Sequence, residues 1–141
     1  MSVSAQAAAV TVHIGGEADL LRVRSALRAE AQHAGLGLTA ATKLITAGSE
    51  LARNIVRYAV HGQGTVSIER TTSSVGKPGV RAEFSDNGPG IADLDLAMRD
   101  GFSTAGSLGL GLPGSRRLVD EFAIDTEPGR GTTVVITQWN H

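Results

Sequence analysis

Three short segments, in a fixed order along the chain, restrict its fold more than any other feature. Ser49-Glu50-Leu51-Ala52-Arg53-Asn54 puts polar side chains on an otherwise apolar helical pattern. Asp86-Asn87-Gly88-Pro89-Gly90-Ile91 is an acidic, glycine-rich turn that ends an alternating strand pattern. Gly109-Leu110-Gly111-Leu112-Pro113-Gly114 is a second glycine-rich turn, directly before another helical pattern. A helix stripe, a strand-end turn and a helix-start turn are the parts of a nucleotide site. Each has an ordinary explanation alone; their order within 141 residues is what carries weight.

That length suits one domain, residues 1–141, with residues 1–7 expected to be flexible. There is no cysteine, which removes disulfides, thiol catalysis and zinc-thiolate sites. The net charge is -1, from 13 basic and 14 acidic residues, so no basic excess points to nucleic acid. Residues 1–14 are apolar but lack a basic start, unlike a signal peptide. No apolar run reaches the ~20 residues of a membrane helix. A cytoplasmic protein is expected, with no nucleic-acid or membrane partner.

The Val- and Thr-rich residues 8–14 predict a first strand, stopped by Gly15-Gly16. Leu20, Val23, Leu27 and Ala31 have helical spacing, so residues 17–34 predict a helix with an acidic start. Thr39 is the expected N-cap of a second helix running to about His61, with Gly62 as its stop. Residues 64–72 and 79–85 alternate as paired strands; Val66 and Ile68 face one side, Thr65, Ser67 and Glu69 the other. Residues 93–99 predict a short helix and residues 101–107 a mobile loop. Residues 109–121 predict a third long helix. Residues 122–125 and 132–139 predict two closing strands around Pro128-Gly129-Arg130-Gly131. The fold class is α/β: a two-layer sandwich with a mixed, mostly antiparallel sheet covered on one face by about three helices.

Glu50 and Asn54 are one helical turn apart, on a stripe with Lys43, Ala47, Arg57 and His61. A carboxylate and a carboxamide so placed can share a hydrated divalent ion or a polarised water; Mg²⁺ keeps several waters and takes further oxygens from phosphates. The same residues also read as a solvated helix face with an Arg53–Glu50 pair. Asp86 at a strand end can accept from an exocyclic amine, while Gly88 and Gly90 let the backbone approach a flat ring; Asp, Asn, Gly and Pro also make plain turns. Gly109, Leu110 and Gly111 precede a helix whose free N–H groups and dipole favour an anion. Without Gly-Lys-Ser/Thr this is no Walker A loop, and without a preceding strand it is no Rossmann fingerprint.

Together these segments resemble the GHKL ATPase superfamily of gyrase, Hsp90, histidine kinases and MutL, over about residues 16–139. The resemblance implies ATP and Mg²⁺ as cofactors. It makes Glu50 the general base, Asn54 the Mg²⁺ ligand and Asp86 the reader of the adenine amino group. Gly88 and Gly90 fall in the first glycine box, and Gly109, Leu110 and Gly111 in the second. Thr132, after Gly131, lies beside the adenine, and residues 101–108 form the lid. Within the superfamily the chain is most similar to small bacterial serine/threonine kinases and anti-sigma factors. Asp100-Gly101-Phe102-Ser103-Thr104 and the run from Leu108 through Leu-Pro-Gly-Ser-Arg-Arg-Leu-Val-Asp-Glu-Phe to Phe122 look like the stressosome switch kinases. That type phosphorylates STAS-domain proteins and then activates a downstream partner, often a PP2C-type phosphatase.

One departure stands out. Between Arg99 and Arg116 there is neither Lys nor Arg, so the lid offers no cation to the γ-phosphate; Arg116 is expected to supply it, with Arg57 or a partner as the alternatives. Two other functions compete: an anti-sigma factor that sequesters a sigma factor, and a detached histidine-kinase ATPase module. The Leu-Pro-Gly stretch favours the switch kinase over the first. Against the second, His13, His33, His61 and His141 lack a helical-hairpin setting. The lone Trp139 is expected to pack at the edge of the last strand.

Overall fold

The computed structural model describes residues 9–59, 63–91, 98 and 111–140. The expected flexible start, the helix over 93–99, the loop and lid over 101–108, His61 and Gly62 lie outside those residues, Met98 excepted. Strand β1 is Val10–Ile14, helix α1 Asp19–Ala34 and helix α2 Leu38–Tyr58. Strands β2, Gly64–Thr72, and β3, Pro78–Asp86, follow. The chain then runs through helix α3, Gly111–Leu118, strand β4, Glu121–Glu127, and strand β5, Gly131–Trp139.

The strands form one sheet in the order β1-β2-β3-β5-β4. Every pairing is antiparallel. The α/β sandwich is as expected, with an antiparallel sheet where some parallel pairing was allowed for. Alternation sorts the two faces. Val66 and Ile68, Val80, Ala82 and Phe84, and Val134 and Ile136 point to the helices and are buried with Val23, Leu27, Leu44 and Leu51. The odd-numbered side of β2 and β3 is polar; there Arg81 bridges Glu69 at 3.5 Å and Glu83 at 3.3 Å.

Helix α2 packs against both other helices and sits over the sheet. It comes close to α1 and to the sheet at Gly48, where an added Cβ would fall against Leu27 Cδ1 and 3.3 Å from Phe84 Cζ. An interior glycine costs about 1 kcal/mol of helix propensity; here it lets three layers of side chain meet.

Several boundaries differ from the sequence reading, each for a local reason. Helix α1 begins at Asp19, not Glu17, because Glu17 and Ala18 form a turn whose carbonyl at Glu17 accepts from Leu20 N–H at 3.0 Å. The Asp19 carboxylate reaches back to Gly15 N–H at 2.8 Å. That bond, helped by Arg22, holds its pKa below the ordinary carboxylate value. Thr39 is not a cap: Gly37 takes that position, its carbonyl accepting from Ala41 N–H at 2.9 Å. Helix α2 ends at Tyr58. Helix α3 ends at Leu118, short of Glu121, because the next residues turn to β5. Asp120 N–H donates to Gln138 Oε1 at 2.8 Å, and Asp120 Oδ2 accepts from Trp139 N–H at 2.9 Å. Strands β4 and β5 each start one residue earlier than expected, and β4 ends two residues later, at Glu127. Trp139 packs on the sheet over Gly79, its Nε1 donating to Glu121 Oε2 at 2.7 Å.

Candidate nucleotide site

Register places the site at one end of the sheet. Val66, Phe84, Val134 and Ile124 form a cross-strand row on the helix-facing side. The next row on that side is Gly64, Asp86, Thr132 and Thr126. Apolar packing therefore gives way to hydrogen-bonding groups within one row, beneath the last turn of α2. At Gly64 an added Cβ would lie 2.8 Å from Ile55 Cγ2, and at Gly88 it would lie 3.0 Å from Ala59 Cα. At those two positions a side chain would meet the end of the helix.

Asp86 ends β3 half-buried. Its Oδ1 accepts from Gly88 N–H at 2.7 Å, an Asx-type turn that fixes the carboxylate. Its other oxygen makes no hydrogen bond to a described residue and can accept from an amine.

The two glycine turns on this wall hold each other. Gly90 has φ 76° and Gly131 has φ 95°, both left-handed. A Cβ on Gly90 would meet the Glu127 carbonyl oxygen at 2.1 Å, and one on Gly131 the Asp86 carbonyl oxygen at the same distance. Gly129 N–H donates to Pro89 O at 2.7 Å. Thr126 finishes the lock: its Oγ1 accepts from Ile91 N–H at 2.9 Å, lies 3.2 Å from Gly131 O and 2.9 Å from Thr132 Oγ1. The sequence reading did not single out Thr126. The alternation of β4, closed by the glycine turn opposite Thr132, is the signal that marks it.

Glu50 and Asn54 occupy the flank of α2 beside its buried stripe of Leu44, Ala47, Leu51 and Ile55. Ala47, placed on the polar stripe by spacing, is itself buried in the core. The Glu50 side chain is 13% exposed and pairs with Arg53 at 3.2 Å. The Asn54 carboxamide makes no hydrogen bond to a described residue, which leaves its oxygen free for an ion or water. Lys43 and Arg57 of the same stripe are exposed. Among the described residues no group of His, Cys, Asp and Glu forms a metal cage. One free carboxamide oxygen beside a carboxylate fits an ion that brings the rest of its shell with a phosphate ligand.

Gly111 opens α3 with φ 65°, and Arg116 is exposed near its end. Gly109 and Leu110 lie outside the described residues. A cleft of about 260 Å³ at this end of the sheet is lined by Asp86 and Thr132, but also by Ser85, Asp125 and Thr133 of the uncovered face. Glu50 and Asn54 are not among its lining residues. It marks the rim, and the position of the site rests on strand register instead.

This geometry agrees with what the chain is similar to. A serine/threonine-protein kinase, RsbT of Bacillus subtilis (strain 168), is 43% identical over 128 residues, covering 91% of this chain and 94% of the relative. An anti-sigma F factor of Thermoanaerobacter sp. (strain X514) is 29% identical over 98 residues, covering 67% of this chain and 66% of that protein. The crystal structure of the RsbU and RsbW domains of Rv1364c from Mycobacterium tuberculosis shares the fold, with TM-score 0.58 and 24% identity over 92% of this chain. This chain spans 32% of that larger structure. Residues 39–140 match the family of histidine kinase-, DNA gyrase B- and HSP90-like ATPases, and the chain belongs to that family.

Proposed function

We propose that the protein is a serine/threonine protein kinase that transfers the γ-phosphoryl group of ATP to a STAS-domain partner in a bacterial partner-switching pathway. The observation that carries this reading is a fixed acceptor, Asp86, beneath the last turn of α2, whose flank carries the carboxylate Glu50, in a chain 43% identical to a named serine/threonine-protein kinase. Asp86 would accept from the adenine amino group, with Gly88, Gly90 and Thr132 shaping the wall around the ring. Glu50 would take the proton of the incoming hydroxyl. Asn54 would ligate Mg²⁺, which when bound neutralises phosphate charge. The start of α3, with Gly109, Leu110 and Gly111, would receive the phosphates on free N–H groups. Arg116 is our choice for the γ-phosphate cation; unchanged transfer in Arg116→Ala would remove it from that role.

The proposed setting is cytoplasmic, and a PP2C-type phosphatase is the proposed downstream effector after release. No helix among the described residues is long and apolar enough to cross a membrane. The 29% identity to an anti-sigma F factor keeps a second reading in view: a binder that sequesters a sigma factor.

Intact-mass analysis of a STAS-domain protein after incubation with this protein and Mg-ATP separates the two. A gain of one phosphate with wild type, absent with Glu50→Gln, is the expected result. No gain despite ATP binding, with stable co-purification of a sigma factor, would establish the second reading instead.

A further inference from the structure

A general base must be held as well as present. Glu50 has three side-chain torsions, and its carboxylate is largely out of water at 13% exposure. Among the described residues its partner is Arg53, whose Nη1 donates to Oε1 at 3.2 Å. The two residues are three apart on α2, so the helix itself sets their approach. The Arg53 side chain is 42% exposed. It is therefore a clamp with one side in solvent and one side on a mostly buried carboxylate. This differs from a surface ion pair, in which both partners are solvated. The clamp engages Oε1 and leaves Oε2 without a hydrogen bond to a described residue.

We infer that Arg53 is the positioning residue of Glu50: it fixes Oε1 so that Oε2 faces the proton to be removed. The inference rests on the kinase reading. In that step the acceptor hydroxyl oxygen bonds to the γ-phosphorus and its proton passes to Glu50 Oε2. The bond to the β–γ bridging oxygen breaks, and its electron pair leaves with ADP. Arg53 touches neither nucleotide nor acceptor in this scheme. Its contribution is orientation, where small misplacements of a reacting group carry large rate costs.

The test compares Arg53→Met, which keeps the aliphatic stem, with Arg53→Lys, which keeps the charge. Each is made with Glu50 and with Glu50→Gln. ATP turnover and transfer to the STAS-domain protein give the rates, and calorimetry gives the ATP affinity. Arg53→Met should lower kcat about 10- to 100-fold with ATP affinity within about threefold. Arg53→Lys should recover most of that loss. In the Glu50→Gln background Arg53→Met should have no further effect, because a residue that works through another is non-additive with it. A wild-type rate in Arg53→Met would overturn the inference. So would an equal loss of ATP affinity, or losses that multiply with Glu50→Gln, since these place Arg53 on the nucleotide. If Arg53→Met melts near the assay temperature, Arg53→Gln, which keeps a polar head but not the charge, is scored on the same criteria with Glu50 and with Glu50→Gln. Wild-type turnover of ATP without transfer to a STAS domain would count against the kinase reading, while leaving the Arg53 comparison readable in ATP turnover.

Discussion

The two sides of the site are built in opposite ways. The sheet-end wall, around Asp86, is a backbone construction. Gly90 and Gly131 sit at left-handed φ with carbonyl oxygens where a Cβ would be, and Thr126 ties both turns together. The α2 flank is a side-chain construction: Glu50, Arg53 and Asn54 project from a regular helix whose backbone would be the same without them. The difference teaches which property each side protects. The wall has no room for substitution at its glycines, whereas the flank carries the proposed chemistry on side chains that the helix backbone does not need.

Substitutions can break this contrast. The largest effect is expected on the flank, where Glu50→Gln should slow phosphotransfer about 10²- to 10⁴-fold while melting like wild type. A lowered melting temperature in that variant would mean that the flank also holds the fold. On the wall, Gly131→Ala must place a methyl group against the Asp86 carbonyl at positive φ. It should cost about 3 kcal/mol, on the order of 10 °C in melting temperature. Thermal unfolding near wild type would show that the turn can open at little cost. Asp86→Asn keeps an acceptor for Gly88 N–H but weakens the charge-assisted bond to an amine. ATP affinity should fall about tenfold, and selectivity over GTP should narrow; an unchanged ratio would remove Asp86 from base reading.

The smallest effect is the control outside both regions. The Asp19 carboxylate is held below its usual pKa by Gly15 N–H. Its stabilising contribution is therefore present above the unfolded value and is lost as pH falls through the lower folded value. Asp19→Asn should lower the melting temperature slightly at neutral pH and not in strong acid. An effect that persists in acid would come from lost geometry and not from charge.

The flank was legible in the sequence because it is local. Glu50 and Asn54 are one turn apart on any helix, and the structure keeps them on one side of α2. The bounds of β2 were legible for the same reason, since alternation and flanking glycines are neighbours in the chain. The wall was only half legible. Its glycines and Asp86 are visible as a turn signal, but that Thr132 and Thr126 complete the row depends on the pairing order β3-β5-β4, which differs from the order of those strands in the chain. The short α3 was hidden likewise: Asp120 leaves the helix to bond with Gln138 and Trp139, residues 18 and 19 positions away. Thr39 looked like a cap because its type suits one; the backbone used Gly37 instead.

The most direct test of a divided site is titration of ATP into wild type, Glu50→Gln and Asp86→Asn, with the turnover of each measured in the same buffer. The account predicts that Glu50→Gln binds ATP as wild type does and turns it over far more slowly, while Asp86→Asn binds more weakly. Equal loss of ATP affinity in both variants would contradict it.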